Sequence, residues 1–280
     1  MGICILPQEI VVPSSGPTPG KTLNEYTWEE ISYISSNGLA SEYGFQVGDT
    51  KEIILNGIVG SCELSNYQTR AFIIGINHNA ELEGNNLIHL QVGLGMLTGG
   101  SDIGIALVDD EVNYSGSSPA FRITTTTVMG MTWGQSYMRN SICGTSLSDY
   151  PSTSFLAVIP DDLRSVLKPV TKYTSSARWE ASLADITATT EYIFLPSEYE
   201  IFATNNWASQ YEAEKQQHYS YYMDTNTRLK AKHNDMSRVV AYWTRSSDDN
   251  GGGWCVVTAM QKSDAMGTTY SYGFTPCFCV

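Results

Sequence analysis

The chain has 280 residues, a formal net charge of −13 and only 16% charged side chains. Such an acidic chain repels nucleic-acid phosphates and anionic membrane surfaces, and no basic stripe interrupts the acidity, so we expect neither partner. The length allows one domain whose core is large enough to need no disulfide or metal. No run of about 18 apolar residues and no basic leader occurs, so we expect neither a membrane span nor a signal peptide.

Residues 1–20 are predicted to form an extended arm. Four prolines disfavour helix in this segment, namely Pro7, Pro13, Pro17 and Pro19. The apolar stretches 3–6 and 10–12 indicate that the arm docks either on its own domain or on a neighbouring subunit. No long linker interrupts residues 21–280, so a single domain is expected there.

The first helix is predicted to begin after Thr27, because Thr27 and Glu30 have the spacing of a capping box. Asn37-Gly38 is predicted to end it. The apolar face of this helix consists of Trp28, Ile31 and Ile34. Asn56-Gly57 follows as the strongest hairpin signal of the chain, so we expect a tight turn there between two strands.

The middle of the chain predicts further short elements. Residues 124–131 and 192–195 have the β-branched or apolar character of strands. Helices are predicted from Thr132 to residue 139 and over about residues 160–168. From 205 to 234 the sequence is polar without clear periodicity, which indicates surface loops with one irregular helix.

The last forty or so residues predict a β platform with two loops. Apolar runs at 241–246, 254–258 and 272–280 alternate with polar segments at 247–253 and 261–270. Chain termini usually fray, yet the final residues here are strongly apolar, so we expect a buried terminal strand. The two polar loops are then expected to lie side by side on a rigid base, as binding loops commonly do.

Ten short motifs follow one another along the chain. They are TWxxI at 27–31, VGD at 47–49, LNG at 55–57, IIGINH at 73–78, SYMR at 136–139, PDDL at 160–163, KPVTK at 168–172, LPSE at 195–198, WTRS at 243–246 and GFTPCF at 273–278. Over about residues 21–280 this series resembles an uncharacterised domain family. Members of that family are found in tail and fibre proteins of gut bacteriophages and in surface proteins of gut bacteria.

That family is similar to the C-type-lectin-like fold of formylglycine-generating enzymes and of phage tropism determinants diversified by retroelements. The resemblance implies one α+β domain with small antiparallel sheets, a few short helices and long loops. It also implies a binding region at about 237–280. The ligand-binding candidates that it implies are Asp248, Asp249, Asn250, Trp254, Gln261, Lys262, Asp264, Met266, Thr268 and Tyr270.

Several residues have both a functional and a structural interpretation. Arg139 and Arg245 could grip a substrate carboxylate, but such arginines more often tie loops together through fixed hydrogen bonds. The oxygen-rich clusters 109–111 and 248–250 are interpreted as solvated turns, with a calcium site at 248–250 as the alternative. Glu198 and Glu200 are paired carboxylates, although no pattern shows that they face a cleft.

The cysteines and the late aromatic residues also have two interpretations. No CxxC pair occurs and the four histidines lack metal-ligand spacing, so buried free thiols are expected, with one disulfide as the alternative. Cys277 and Cys279 have no basic neighbour to lower a thiol pKa, so a catalytic cysteine pair is not favoured. Trp243 is expected in the core, whereas Trp254 and Tyr270 could lie in the core or on a contact surface.

The resulting hypothesis is a bacteriophage virion protein, in a tail tip or fibre, that binds a host surface protein or glycan through its C-terminal loops. We expect no enzymatic activity, no cofactor, contacts with other virion proteins and a homo-oligomer, with a trimer favoured. A structural scaffold or decoration protein and a bacterial surface ligand-binding protein remain alternatives. A formylglycine-type oxidase or glycan hydrolase is the enzymatic alternative.

Overall fold

A computed structural model describes residues 16–116, 118–126, 129–176 and 181–280 of the chain. The α-helices are α1 (Trp28–Ser36), α2 (Ala80–Glu83), α3 (Phe155–Val158), α4 (Asp161–Arg164), α5 (Glu198–Phe202) and α6 (Gln210–Ala213). The strands are β1 (Thr50–Val59), β2 (Cys62–Ile76), β3 (Ile88–Val92), β4 (Leu94–Met96), β5 (Asp102–Ala106), β6 (Val170–Ser175), β7 (Ile186–Glu191), β8 (Ile193–Phe194), β9 (Lys230–Lys232), β10 (Asp235–Val239), β11 (Tyr242–Ser247), β12 (Gly253–Val257), β13 (Ser263–Gly267) and β14 (Cys277–Cys279). Short 3₁₀-helices lie at Leu23–Glu25, Trp133–Gln135, Leu183–Asp185, Ser220–Met223 and Thr225–Arg228, and a π-helix at Met138–Cys143.

The largest sheet has the strand order β1-β2-β3-β14-β8, and its neighbouring strands are antiparallel. The terminal strand β14 lies between β3 and β8 and is fully buried. Backbone hydrogen bonds of 3.1 Å in both directions also join Val280 to Ile88. The predicted buried terminal strand is therefore confirmed, because both edges of β14 are paired and do not fray.

Three smaller sheets occur in the part of the chain that the structure describes. β10, β9, β5 and β4 form one in that order, and its β5–β9 pair is parallel. β11, β12 and β13 form an antiparallel meander, and β6 pairs with β7. Strand makes up 32% and helix 21% of the structure, which confirms the predicted α+β class with small, mostly antiparallel sheets.

Helix α1 covers β14 from one face of the largest sheet. Thr27 Oγ1 accepts the Glu30 N–H at 3.1 Å, and a Glu30 carboxylate oxygen accepts the Thr27 N–H at 2.8 Å, as the capping box predicts. Ile34 is fully buried, and the Trp28 ring meets Phe278 edge-on at 5.8 Å. Each such buried side chain contributes about 1.5–3 kcal/mol to folding, so α1 and the C-terminus stabilise one another.

The Asn56-Gly57 dipeptide is not the hairpin turn that the sequence predicts. Strand β1 continues through it, and the turn falls at residues 60–61, because Val59 pairs with Cys62. The strand register shifts between Leu55 and Gly57, and Gly57 has φ +122°. A residue with positive φ also suits a β-bulge, so the same dipeptide signal specifies a bulge here.

Other predicted elements are shorter or absent. No strand lies at 118–126 or 129–131, the described residues around the predicted strand 124–131, where bends and one turn form instead. The helix predicted at 132–139 is divided between the 3₁₀-helix Trp133–Gln135 and the π-helix Met138–Cys143. The helix predicted over 160–168 is reduced to α4, which has a single turn.

Only the end of the predicted N-terminal arm lies within the described residues, and 1–15 lie outside them. The Tyr43 hydroxyl donates to Pro17 O at 2.7 Å and the Tyr26 hydroxyl to Thr18 O at 3.0 Å. Residues 17 and 18 therefore pack on their own domain. None of the described helices has the length and apolar character needed to cross a bilayer.

Candidate ligand-binding surface at the C-terminal sheet

Buried aromatic rings fix the meander β11–β12–β13. Trp243 and Trp254 are fully buried, and their indole N–H groups donate to Phe121 O at 2.9 Å and to Thr244 O at 3.1 Å. Both polar atoms are satisfied, so the rings pack without the cost of an unpaired donor. Trp243 is thus in the core as expected. Trp254, for which the sequence left two interpretations, is in the core as well.

The two predicted binding loops do not lie side by side. Residues 248–252 join β11 to β12 and residues 258–262 join β12 to β13, and consecutive turns of an antiparallel meander lie at opposite ends. The predicted loop 261–270 also contains β13 itself. Its last residues, 268–270, return to the end that carries 248–252, because Gly253 pairs with Gly267.

The loop 248–252 is folded by its own acidic side chains. Asp248 is buried, and its Oδ1 accepts the Asn250 N–H at 2.9 Å and the Asn250 side-chain amide at 3.1 Å. Asp249 Oδ1 accepts the Ala181 N–H at 3.0 Å. These carboxylates form a structured turn rather than the solvated one that the sequence suggests, and Asn250 is exposed above it.

Trp207 connects this loop to the edge strand β13. Its carbonyl oxygen accepts the Asp249 N–H at 2.8 Å, and its indole Nε1 donates to Ser263 O at 3.3 Å. The side chain remains 37% exposed. The ring is therefore held at its nitrogen against β13 while part of it faces solvent, and the Trp207 backbone contacts the loop 248–252.

A buried carboxylate below the surface positions Trp207. Glu198 is fully buried at the start of α5, where its two oxygens accept the N–H groups of Asn206 at 3.1 Å, Trp207 at 3.2 Å and Ala208 at 2.8 Å. The Ser263 hydroxyl also donates to Glu198. Hydrogen bonds to an ionised acceptor are stronger than neutral ones, so Glu198 ties the Trp207 loop to β13.

The free edge of β13 is covered in part, which disfavours pairing with another strand. Ser263 O is taken by Trp207, the Ala265 N–H donates to Asp264 Oδ1 at 2.9 Å, and Gly267 O accepts the Tyr270 N–H at 3.2 Å. Occupied backbone groups discourage edge-to-edge association. The surface is therefore suited to contact through side chains and loops.

The structure separates the ten predicted ligand-binding residues into three sets. Trp254, Asp248 and Thr268 are buried, and Thr268 Oγ1 bonds to Thr124 at 3.0 Å. Asp249, Asn250 and Tyr270 lie at the 248–252 end of the meander, and Met266 packs partly against the core. Gln261, Lys262 and Asp264 lie towards the other end, close to Ser263 and hence to the Trp207 indole.

Sequence reasoning missed Trp207 and Glu198. The sequence indicates Glu198 only as one of a pair with Glu200, and it predicts a long polar loop around Trp207. Their contacts with Ser263 span 65 and 56 residues, so no local pattern reveals them. A lone tryptophan in an otherwise polar loop is the signal that could have drawn attention to this position.

A second group of charged residues is closed off from solvent behind β11. Lys172 Nζ lies 2.5 Å from Glu83 Oε2 and 3.0 Å from Glu200 Oε1, and Arg245 binds both oxygens of Glu200 at 2.5 and 2.9 Å. All four side chains have at most 1% exposure. Arg245 therefore ties elements together, the role that the sequence favours for it. Burial alone would raise the pKa of Glu200, but Arg245 and Lys172 hold it below its usual value.

Two histidines complete this cluster in neutral form. Burial, assisted by the Lys172 charge, lowers the pKa of His78 to about 3 and that of His89 well below its usual value. Potential ligand atoms of His78, Glu83 and Glu200 lie within 4.8 Å of one another. The Lys172 ammonium already bonds to both carboxylates, so the cation of this cluster is the lysine itself, and the donor set does not fit an added metal.

Arg139 and Asp109 have structural roles as well. Arg139 donates from Nε to the buried Glu191 at 2.7 Å and from its second amino group to Thr190 O at 3.1 Å. Asp109, predicted in a solvated turn, is buried, because it accepts the N–H groups of Ala120 and Phe121 and hydroxyls from neighbouring serines.

The cysteines of the described residues are free and buried; Cys4 lies outside them. Burial raises the pKa of Cys277 to about 12 and that of Cys279 well above its usual value. A thiol with such a pKa is protonated at neutral pH and is a poor nucleophile. The geometry gives no support to a catalytic role for this pair.

A family model described as a domain of unknown function, DUF6273, matches residues 122–280, more than half of the chain. No curated protein and no solved structure matches the chain. The matched region includes Glu198, Trp207 and the whole meander β11–β12–β13, whereas β1–β5 lie before it.

Proposed function

The chain belongs to the DUF6273 family, and we propose that it is a binding protein that attaches to a cell surface through the outer side of its C-terminal meander. The observation that carries this proposal is the partly exposed Trp207 indole, fixed to β13 through its nitrogen and from below by Glu198. A ring that is ordered before binding offers apolar contact at a small entropic cost.

The polar side chains on either side of Trp207, whose carbonyl oxygen accepts the Asp249 N–H and whose indole donates to Ser263 O, are suited to specific contact. Asn250 and Lys262 are exposed, and Asp249 and Asp264 are half-buried. Amide, ammonium and carboxylate groups around an aromatic centre provide hydrogen bonds that select one ligand among many. A host surface protein or a glycan would fit such a surface.

We assign this activity to a bacteriophage virion, in a tail tip or fibre. The ordered motif series and its resemblance to phage tail proteins support the assignment. The C-type-lectin-like fold, contacts with other virion proteins, a homo-oligomer with a trimer favoured, and diversification of the C-terminal region by a retroelement belong to the same proposal and depend on the same resemblance.

Attachment to cells tests the proposal. Fluorescently labelled protein is mixed with suspensions of gut bacteria, and bound protein is counted by flow cytometry. Trp207→Ala should lower attachment at least tenfold while thermal stability falls by only a few degrees. Met223→Ala is the matched control, because Met223 is 73% exposed and lies outside the meander.

Equal attachment by the parent and Trp207→Ala would contradict the proposed surface. If the parent binds no strain but assembles with tail proteins, the alternative of a virion scaffold or decoration protein is favoured. An equal loss of attachment in Trp207→Ala and Met223→Ala would indicate a general loss of structure. Circular dichroism of both variants detects such a loss.

A further inference from the structure

A polar groove lies far along the chain from the meander, mostly in the part that precedes the DUF6273 match. Its volume is about 880 Å³, within the range of sites that enclose a small ligand. Its walls are residues 24–28 at the start of α1, the middle of β1, and residues 157–162 and 164 around α4.

The floor of this groove is a free segment of sheet edge. β1 is the outer strand of the largest sheet. Near the start of β1 the edge is covered, because the Glu52 N–H donates to Asn24 Oδ1 at 2.8 Å. Just after the end of β1 the Gly60 N–H donates to Thr153 O at 3.0 Å. Backbone groups two residues apart point the same way, so the N–H and C=O of Ile54 point outward like those of Glu52.

The backbone N–H and C=O of Ile54 are unpaired in the described part of the chain. No hydrogen bond joins its N–H or C=O to any residue within 16–116, 118–126, 129–176 or 181–280. Its side chain is 46% exposed and lines the groove. An open backbone donor and acceptor, flanked on both sides by covered edge, fits an extended segment of about three residues that adds to β1 as a further strand.

The charges around the groove indicate which kind of peptide segment it would bind. Four carboxylates line it, those of Glu25, Glu52, Asp161 and Asp162. Of the two cations, Arg164 is paired with Asp161 at 2.7 Å, and Lys51 donates to the carbonyls of Tyr26 and Asn24 at 2.5 and 3.2 Å. The lining therefore carries two more negative than positive charges, and Glu52 and Asp162 are exposed at its rim.

We propose that this groove binds a short extended peptide segment bearing lysine or arginine side chains. The segment pairs its backbone with Ile54 of β1 and places its cationic side chains against Glu52 and Asp162. The ligand is a basic, extended stretch of another polypeptide. The inference is independent of the proposed cell attachment, since none of the residues that carry it belongs to the meander or to the Trp207 loop.

Fluorescence anisotropy with two labelled tetrapeptides tests the proposal on the full chain. Lys-Val-Lys-Val-amide should bind, and Glu-Val-Glu-Val-amide should bind at least tenfold more weakly. Methylation of the backbone nitrogens of both inner residues of the lysine peptide should weaken binding at least fivefold, because it removes the N–H that pairs with β1. The double variant Glu52→Gln/Asp162→Asn should weaken binding about tenfold and flatten its salt dependence.

A charge-matched double variant, Glu63→Gln/Asp149→Asn, is the control, since both side chains are exposed and lie outside the groove. Ile54→Pro is a second probe of the edge, because proline is tolerated where a strand N–H points away from its sheet. No binding of the lysine peptide, equal binding of both peptides, or the same loss in the control and the groove variant would overturn the proposal. If the parent forms dimers and Ile54→Pro abolishes them, the proposal is overturned too, because the edge of β1 then binds a second copy of the chain.

Discussion

Arg245 and Glu200 form a fully buried bidentate ion pair, with hydrogen bonds of 2.5 and 2.9 Å between the guanidinium and the two carboxylate oxygens. Replacing Arg245 by Leu leaves the Glu200 charge in the interior with Lys172 alone. Loss of one partner of such a pair costs about 3–5 kcal/mol in the free energy of unfolding. Urea denaturation of the Arg245→Leu variant measures this cost.

The matched control for this prediction is Arg70→Leu. Arg70 pairs with Asp102 at 2.5 Å, but the two side chains are 22% and 43% exposed. Exposed pairs contribute about 0–1 kcal/mol, because water screens them. A loss in Arg245→Leu no larger than that in Arg70→Leu would show that the interior pair does not stabilise the fold.

Acid should destabilise the protein through His78. Burial, together with the charge of Lys172, lowers the pKa of His78 from 6.5 to about 3 in the folded state. Between these values the unfolded chain binds a proton that the folded chain does not, so stability is fully present above the unfolded pKa and is lost as the pH falls. The slope reaches about 1.4 kcal/mol per pH unit.

The variant His78→Phe removes this titration and retains a ring that can stack on Tyr219, whose centroid lies 3.6 Å from that of His78. From pH 6.5 to pH 5 the parent should lose about 1.6 kcal/mol more stability than the variant, since the slope starts at half its maximum at pH 6.5. The buried carboxyls whose pKa values burial raises, those of Glu83, Glu191 and Glu212, are present in both proteins, so the difference between the two stability curves reports His78. Parallel stability curves for the two proteins would contradict the assignment.

Sequence reasoning succeeded where one local pattern determines the structure. The capping box at Thr27 and Glu30 needs only residues three positions apart, and the apolar last residues indicate burial whatever covers them. The same holds for Arg245, since an arginine among hydroxyl and aromatic residues usually bonds within the protein. These features depend on short-range chemistry or on hydrophobicity.

The predictions from sequence are wrong where the structure depends on residues far apart in the chain, or where one sequence motif fits two different backbone structures. The pairing of the Glu198 carboxylate with residues 206–208 and with Ser263 follows from the tertiary fold alone. The sequence predicts the polar segments 247–253 and 261–270 side by side, whereas the alternating geometry of the meander places the turns 248–252 and 258–262 at opposite ends. Asn56-Gly57 suits either a turn or a bulge; in the structure it forms the bulge, and Gly57 lies close to Val158.

The bulge at Gly57 can be tested by substitution. A Cβ at this position would lie 3.2 Å from Val158 Cγ1, and the φ of +122° is unfavourable for any side chain. Gly57→Ala should therefore lower the free energy of unfolding by about 1–3 kcal/mol. Gly99→Ala is the control, because it has no neighbour within 4 Å and no positive φ. Equal stability of the two variants would remove the bulge as a reason for glycine.

Glu198 should affect ligand attachment without contacting any ligand. Its charge is shared by three backbone N–H groups and by the Ser263 hydroxyl, so the neutral amide of Glu198→Gln supplies one acceptor where the carboxylate supplies two. The 206–208 loop then opens more often and the Trp207 ring loses its fixed position. Hydrogen exchange at the amides of residues 206–208 should become at least tenfold faster, while exchange in β12 stays unchanged.

Cell attachment of Glu198→Gln should fall together with this loss of protection, since an exposed ring that must first be ordered binds more weakly. Glu214→Gln, at an exposed carboxylate after α6, should change neither measurement. Faster exchange with undiminished attachment would mean that the order of the Trp207 loop is irrelevant to binding. Unchanged exchange would mean that the Glu198 carboxylate does not hold the loop, because the three amides depend on it for their hydrogen bonds.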